Sequence, residues 1–152
     1  MTWLRKNRIW IGLAALILIV VVYFRNTGAG RVNSLIDEAM MEHYENKNFN
    51  KVIELTNEVI ELDSEHVTAF YLRGAAKAEY EDWEGARSDL TTALRLCENN
   101  QESSCDIQGM IYWKRGIVYG LEDKRSMACK DLKKSVDLNY PDAFEIYAKL
   151  CR

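Results

Sequence analysis

VTAFYLRGAAKAEYEDWEGARSDLTTALRLCENN, residues 67–100, is the stretch on which the fold turns. Its apolar and small residues recur at helical spacing over residues 67–80 and again over 83–96, with Glu81-Asp82 as a tight turn between them. A turn that short makes the two helices antiparallel. Gly74 on the first helix and Ala86 on the second let the pair approach closely, and Trp83 fills the space at the turn. The arrangement recurs with a period of 34 residues. Aligning Asn33 with Val67 puts Ala39-Met40, Phe49, Val52, Val59-Ile60 and Leu62 on the offsets of Arg73-Gly74, Trp83, Ala86, Ala93-Leu94 and Leu96. A third copy starts at Gly109, with Arg115-Gly116, Arg125, Ala128, Ser135-Val136 and Leu138 at those offsets. It arrives eight residues late, so residues 101–108, QESSCDIQ, read as an insertion. The repeats therefore span residues 33–66, 67–100 and 109–142, and residues 143–152 read as a capping helix over the last apolar face.

This pattern resembles the tetratricopeptide repeat (TPR) over most of the chain beyond residue 32. Two places depart from the usual repeat: the closing proline is present only as Pro141, and Arg125 stands where an aromatic is usual. The resemblance implies an all-α solenoid whose first helices line a concave groove. On that reading Asp37, Met41 and Tyr44 face the groove from the first repeat, Tyr71, Ala75 and Ala78 from the second, and Trp113, Ile117 and Gly120 from the third. The family's best-known groove holds an acidic C-terminal peptide through paired Lys and Asn residues, which are missing at the matching places here. The groove expected is apolar and aromatic, suited to a helix or extended segment of a protein partner, with Tyr71 and Trp113 as its main anchors. The alternative is that these two rings pack against neighbouring helices or the inserted loop. The tail ACKDLKKSVDLNYPDAFEIYAKLC, residues 128–151, is similar to the endings of many small envelope TPR proteins of Bacteroidota-type bacteria.

Ahead of the repeats, residues 9–24 read IWIGLAALILIVVVYF, sixteen residues without a charge. As a helix they would span about 24 Å, a little short of a ~30 Å hydrocarbon core. Arg5, Lys6, Arg8 and Arg25 are placed to snorkel from the two ends, and Trp10 and Tyr23-Phe24 sit where interfacial aromatics belong. Two readings compete. One is an uncleaved transmembrane anchor over 9–24 behind a basic tail, residues 1–8. The other is a signal peptide cleaved after Ala29, releasing a periplasmic or secreted adaptor. The length of the apolar run and the position of Arg25 favour the anchor. Flanking charge then places the N-terminus in the cytoplasm and the repeats in the periplasm, across a bacterial inner membrane. A linker over 25–32 reaches at most about 27 Å when extended. It would keep the repeats near the bilayer and raise their effective concentration toward other membrane proteins.

Charge divides in the same way. The 152 residues sum to −3, but residues 1–36 carry five basic groups and no acid, which leaves −8 for the remainder. An acidic domain is a poor partner for nucleic acid. The four cysteines, 97, 105, 129 and 151, all fall in the part expected outside the cytoplasm. Cys129 and Cys151 lie 11 residues either side of Tyr140, opposite each other in an antiparallel hairpin, while Cys97 and Cys105 bracket the insertion. Two disulfides are the expectation, and four free thiols the alternative if the topology is reversed. Nothing resembles a phosphate loop, a zincin helix, a nucleophile elbow or a dinucleotide fingerprint. His43 and His66 do not share a face, and the run Glu79, Glu81, Asp82 and Glu84 reads as solvated surface rather than an acid/base pair. No catalytic residue, metal site or cofactor is expected. A Cys/His metal or redox protein is the remote alternative. The whole reads as a membrane-anchored scaffold that binds partner proteins of one envelope membrane complex, with the bilayer held through residues 9–24.

Overall fold

The computed structural model describes residues 10, 13–14, 16–23, 28–99 and 105–151, and among them there is no strand. The order is α1 (Gly28–Met41), one π turn (Glu42–Asn46), α2 (Phe49–Leu62), α3 (Val67–Glu79), α4 (Trp83–Asn99), α5 (Gln108–Leu121), α6 (Arg125–Asp137) and α7 (Pro141–Cys151). The chain divides into two compact units, residues 1–34 and 35–152.

In the first unit every described residue from 10 to 23 is helical, and the apolar side chains of that segment are exposed. No helix among the described residues is long and apolar enough to cross a membrane. The expected span 9–24 falls partly outside the described residues, as do the basic tail 1–8 and positions 25–27 of the expected linker. The rest of that linker is corrected: residues 28–32 already belong to α1. Val32, Ile36 and Ala39 are buried at spacings of four and three, so the buried stripe draws the helix back past the start of the first repeat. Residues 28–32 therefore do not form an extended tether.

In the second unit the hairpins are made alike. Lys47 (φ 54°), Glu81 (φ 60°) and Asp123 (φ 59°) hold the same repeat position in left-handed conformation and reverse the chain. Short polar side chains then start the next helices. Asn48 Oδ1 accepts from Lys51 N at 3.4 Å for α2, and Asp82 Oδ1 accepts from Gly85 N at 2.9 Å for α4. His66 is the N-cap of α3, its Nδ1 accepting from Ala69 N at 3.3 Å. Asn139 (φ 57°) turns the chain into α7. That helix starts at Pro141, two residues before the expected cap, because proline's fixed φ and missing N–H suit a first helical position.

Close helix pairing follows from glycine. A Cβ on Gly74 would lie 3.0 Å from both Ala86 O and Leu90 Cγ, and one on Gly116 would lie 2.9 Å from Leu132 Cγ. Leu90 and Leu132 are fully buried and occupy equivalent repeat positions. Beside each pair runs a buried ionic contact that the sequence reading did not single out. Arg73 donates to Asp89 through Nε at 2.9 Å and Nη2 at 2.7 Å, and Arg115 donates to Asp131 at 2.6 and 3.0 Å. Each arginine also reaches back to the preceding repeat, Arg73 to Asn57 Oδ1 at 2.7 Å and Arg115 to Thr91 Oγ1 at 3.0 Å. The two-pronged geometry satisfies both carboxylate oxygens within a hairpin, and the bonds to Asn57 and Thr91 tie that hairpin to the preceding repeat.

Both cysteine pairings lie at bonding distance. Cys129 and Cys151, with Cα atoms 5.5 Å apart, fasten α7 to α6, and Cys97 and Cys105, at 5.3 Å, tie the end of α4 to the start of the turn before α5. Positions 100–104 of the inserted region and Arg152 lie outside the described residues.

Candidate functional groove

The groove is built on the first helices of the three repeats, α1 with its π turn, α3 and α5. Helical spacing on α5 puts Trp113, Ile117 and Gly120 on one face, and the repeat register carries the same positions to Tyr71, Ala75 and Ala78 on α3, to Asp37 and Met41 on α1 and to Tyr44 in the π turn. Tyr71 lies at the floor, only 4% exposed. Its hydroxyl faces Tyr44 and Tyr140. Burial first, then the neighbouring Tyr44 and the hydrogen bond between them, push the Tyr71 phenol far above its ordinary range. Tyr140 is pushed up to about 12, first by burial and then by its bond to Asp142, whose Oδ2 accepts at 3.2 Å. Trp113 tilts against Tyr140 with ring centroids 5.6 Å apart. Its Nε1–H is buried and finds no acceptor among the described residues.

At the hairpin end stands His43, 7% exposed, its ring edge-on to Tyr44 at 4.7 Å and to Phe49 at 5.5 Å. Its Nδ1 has no partner among the described residues. Burial, followed by the charges of Lys114 and Lys47, holds its imidazole below the ordinary value. Lys114 itself pairs with Glu79 at 3.1 Å, joining α5 to α3. This constellation has no nucleophile beside a base. Among the described residues no three His, Cys, Asp or Glu side chains are grouped so as to hold a metal ion.

The expected lining divides on burial. Asp37, Met41 and Tyr44 are exposed, Trp113 and Ile117 are half-buried, and Tyr71, Ala75 and Ala78 are buried. The last three shape the floor but offer little surface to touch, which corrects Tyr71 as a principal contact. Gly120 belongs to the cap side, since a Cβ there would meet Leu150 at 3.6 Å. Tyr140 is the groove residue that sequence reasoning passed over; an aromatic just before Pro141 was its signal.

No protein-family model matches this sequence, and no curated protein matches it. Solved structures do. The chain is similar to the TPR domain of OM64 from Arabidopsis, with TM-score 0.70 and 20% identity over 82% of this chain and 97% of that one. It is similar to the N-terminal domain of stress-induced protein-1 from C. elegans, with TM-score 0.69 and 16% identity over 84% of this chain and 99% of that one. The first TPR of Spaghetti (RPAP3), bound to the HSP90 peptide SRMEEVD, matches at TM-score 0.67 and 17% identity over 78% of this chain and 89% of that one. The fold is that of a TPR domain. Its hairpins are α1–α2, α3–α4 and α5–α6, and α7 follows the last of them. At these identities the likeness speaks for the fold alone.

Proposed function

We propose that the protein is a membrane-anchored TPR scaffold whose groove binds a segment of a partner protein, as an assembly or accessory subunit of an envelope membrane complex. The observation that carries the reading is the aromatic cluster of Tyr44, Tyr71, Trp113 and Tyr140, with exposed Met41 beside it. A solid aromatic floor with reachable rings at its edge suits an apolar anchor side chain. A peptide in such a groove has a precedent in the Spaghetti structure, described as bound to an HSP90 peptide. The paired Lys and Asn of an acidic-tail receptor are missing, so an apolar segment is the better occupant.

Support for the anchor comes from residues 16–23, where Leu16, Ile17, Leu18 and Ile19 are each more than 60% exposed on a helical segment without a charge. Such a surface needs an apolar environment. Cleavage after Ala29, the competing reading, would leave α1 to start at Gly30. The inner membrane, the cytoplasmic N-terminus and the periplasmic repeats belong to the same proposal.

Alkaline extraction of native membranes, with intact-mass determination, tests the anchor: the chain stays in the membrane fraction and retains its N-terminus. Release into the soluble fraction, with a new terminus at Gly30, contradicts it. A photo-crosslinking residue at Met41 tests the groove, and the expected product is a single membrane protein.

A further inference from the structure

A second concave site lies on the flank of the third repeat, away from the groove. On α5, Trp113 and Ile117 face the groove, whereas Tyr112, Arg115 and Tyr119 share a face well round the helix. With Met127, Lys130, Asp131 and Lys134 of α6, that face lines a half-open cavity of about 350 Å³. Its α5 wall is already held in place. The Tyr119 ring lies between the guanidinium groups of Arg87, 5.9 Å away, and Arg115, 5.8 Å away. Arg87 is held by Glu122, Arg115 by Asp131, and Tyr112 Oη donates to Glu98 Oε1 at 3.3 Å. Lys130 and Lys134, one turn apart, remain without an ion pair among the described residues.

The other repeats act as internal controls. In the second, Arg73 and Lys77 both pair with Asp89, Lys77 at 2.8 Å, and Ser88 and Thr92 occupy the places of the two lysines. In the first repeat those places hold Glu54 and Glu58. Folding therefore does not require cations there. The third repeat alone joins apolar walls of two tyrosine rings and Met127 to two uncompensated positive charges, in a domain whose net charge is negative.

We propose that this pocket binds an anion carried on an apolar stem, an aromatic carboxylate or phosphate. The stem packs between Tyr112, Tyr119 and Met127, and the anion meets Lys130 and Lys134. Tyr112, Arg115 and Tyr119 are held by existing hydrogen bonds and cation–π contacts, so little is lost in ordering that wall. The proposal is independent of the groove.

The test uses the full chain in detergent micelles with methyl-labelled methionine, reading the Met127 resonance. Phenyl phosphate and 3-phenylpropionate are the two probes, and binding by either supports the proposal and names the anion. The expected result is a saturable shift of Met127 below about 10 mM probe, weakened about tenfold or more in Lys130→Glu/Lys134→Glu. Lys133→Glu/Lys149→Glu changes the net charge equally but touches only two exposed ion pairs, and titrates like the wild type. The proposal is overturned if neither probe shifts Met127 saturably, if Lys130→Glu/Lys134→Glu responds as the wild type does, or if benzyl alcohol or inorganic phosphate alone does as much.

Discussion

Ala39 and Leu55 in the first repeat stand where the second has Arg73 and Asp89 and the third has Arg115 and Asp131. Ala39 and Leu55 are buried and apolar; the other four form buried or nearly buried forks. One step along, Met40 stands where Gly74 and Gly116 let their helices touch. The first repeat fills its interior with side-chain volume, adding the ring of His43 from a π turn, whereas the later two bring the backbones closer and bridge the gap with charge. The difference teaches that this fold demands a filled position rather than a particular chemistry. The two solutions also fail differently. An apolar position loses in proportion to the atoms removed, but an ion pair is lost through the partner left behind.

The largest test of that contrast is Asp89→Ala, which removes the carboxylate shared by Arg73 and Lys77 and leaves Arg73 only its bond to Asn57. It is expected to cost about 3–5 kcal/mol. Arg115→Ala/Asp131→Leu, which copies the first repeat into the third, should cost under about 1 kcal/mol. Urea denaturation followed by helical circular dichroism measures both. If the double replacement costs as much as Asp89→Ala, the two solutions are not interchangeable.

Next comes the glycine. Gly116→Met, the first repeat's residue, drives a side chain into Leu132 and is expected to cost about 2–3 kcal/mol. Met40→Gly in the first repeat removes a half-buried side chain as well as helix propensity, and should cost about 2–3 kcal/mol.

A smaller effect separates the repeats by pH. His43 is held below its ordinary 6.5, so the unfolded chain takes up its proton more readily than the folded one. Stability is full above about pH 6.5 and falls as the pH drops below it, until the folded group is protonated as well. Thermal melts of His43→Gln should show a flatter profile across that window. An unchanged profile would mean that the first repeat carries no such burden.

The smallest effect is shared by all three. Glu81→Gly and Asp123→Gly relieve left-handed strain and are each expected to stabilise by about 0.5–1 kcal/mol in the same melts. Lys47→Gly should match them, and a destabilising result at Lys47 alone would set the π-turn hairpin apart.

The repeat register was legible because Gly74 and Gly116, with Ala86 and Ala128, mark the points of closest approach, and the pairing of Cys129 with Cys151 because they lie 11 residues either side of Tyr140. The Arg–Asp forks were not, although Arg73 and Arg115 were seen to be equivalent. Their partners lie 16 residues on, across a hairpin, and only folding joins them. The left-handed turn residues were hidden because none is glycine. The start of α1 was misplaced because repeat counting stopped at Asn33, while the buried stripe continues back to Val32. In the groove, the positions followed from the register but their exposure did not. Burial of Tyr71 depends on Tyr44 and Tyr140, which come from distant parts of the chain.

The central claim is that this aromatic groove holds a protein partner beside the membrane. Its most direct test is a pull-down of full-length tagged protein from its native membrane in mild detergent, comparing the wild type with Tyr44→Ala/Trp113→Ala. The account predicts a stoichiometric membrane protein with the wild type and its loss from the variant. Recovery of the chain alone, or equal recovery of the partner by both, would contradict it.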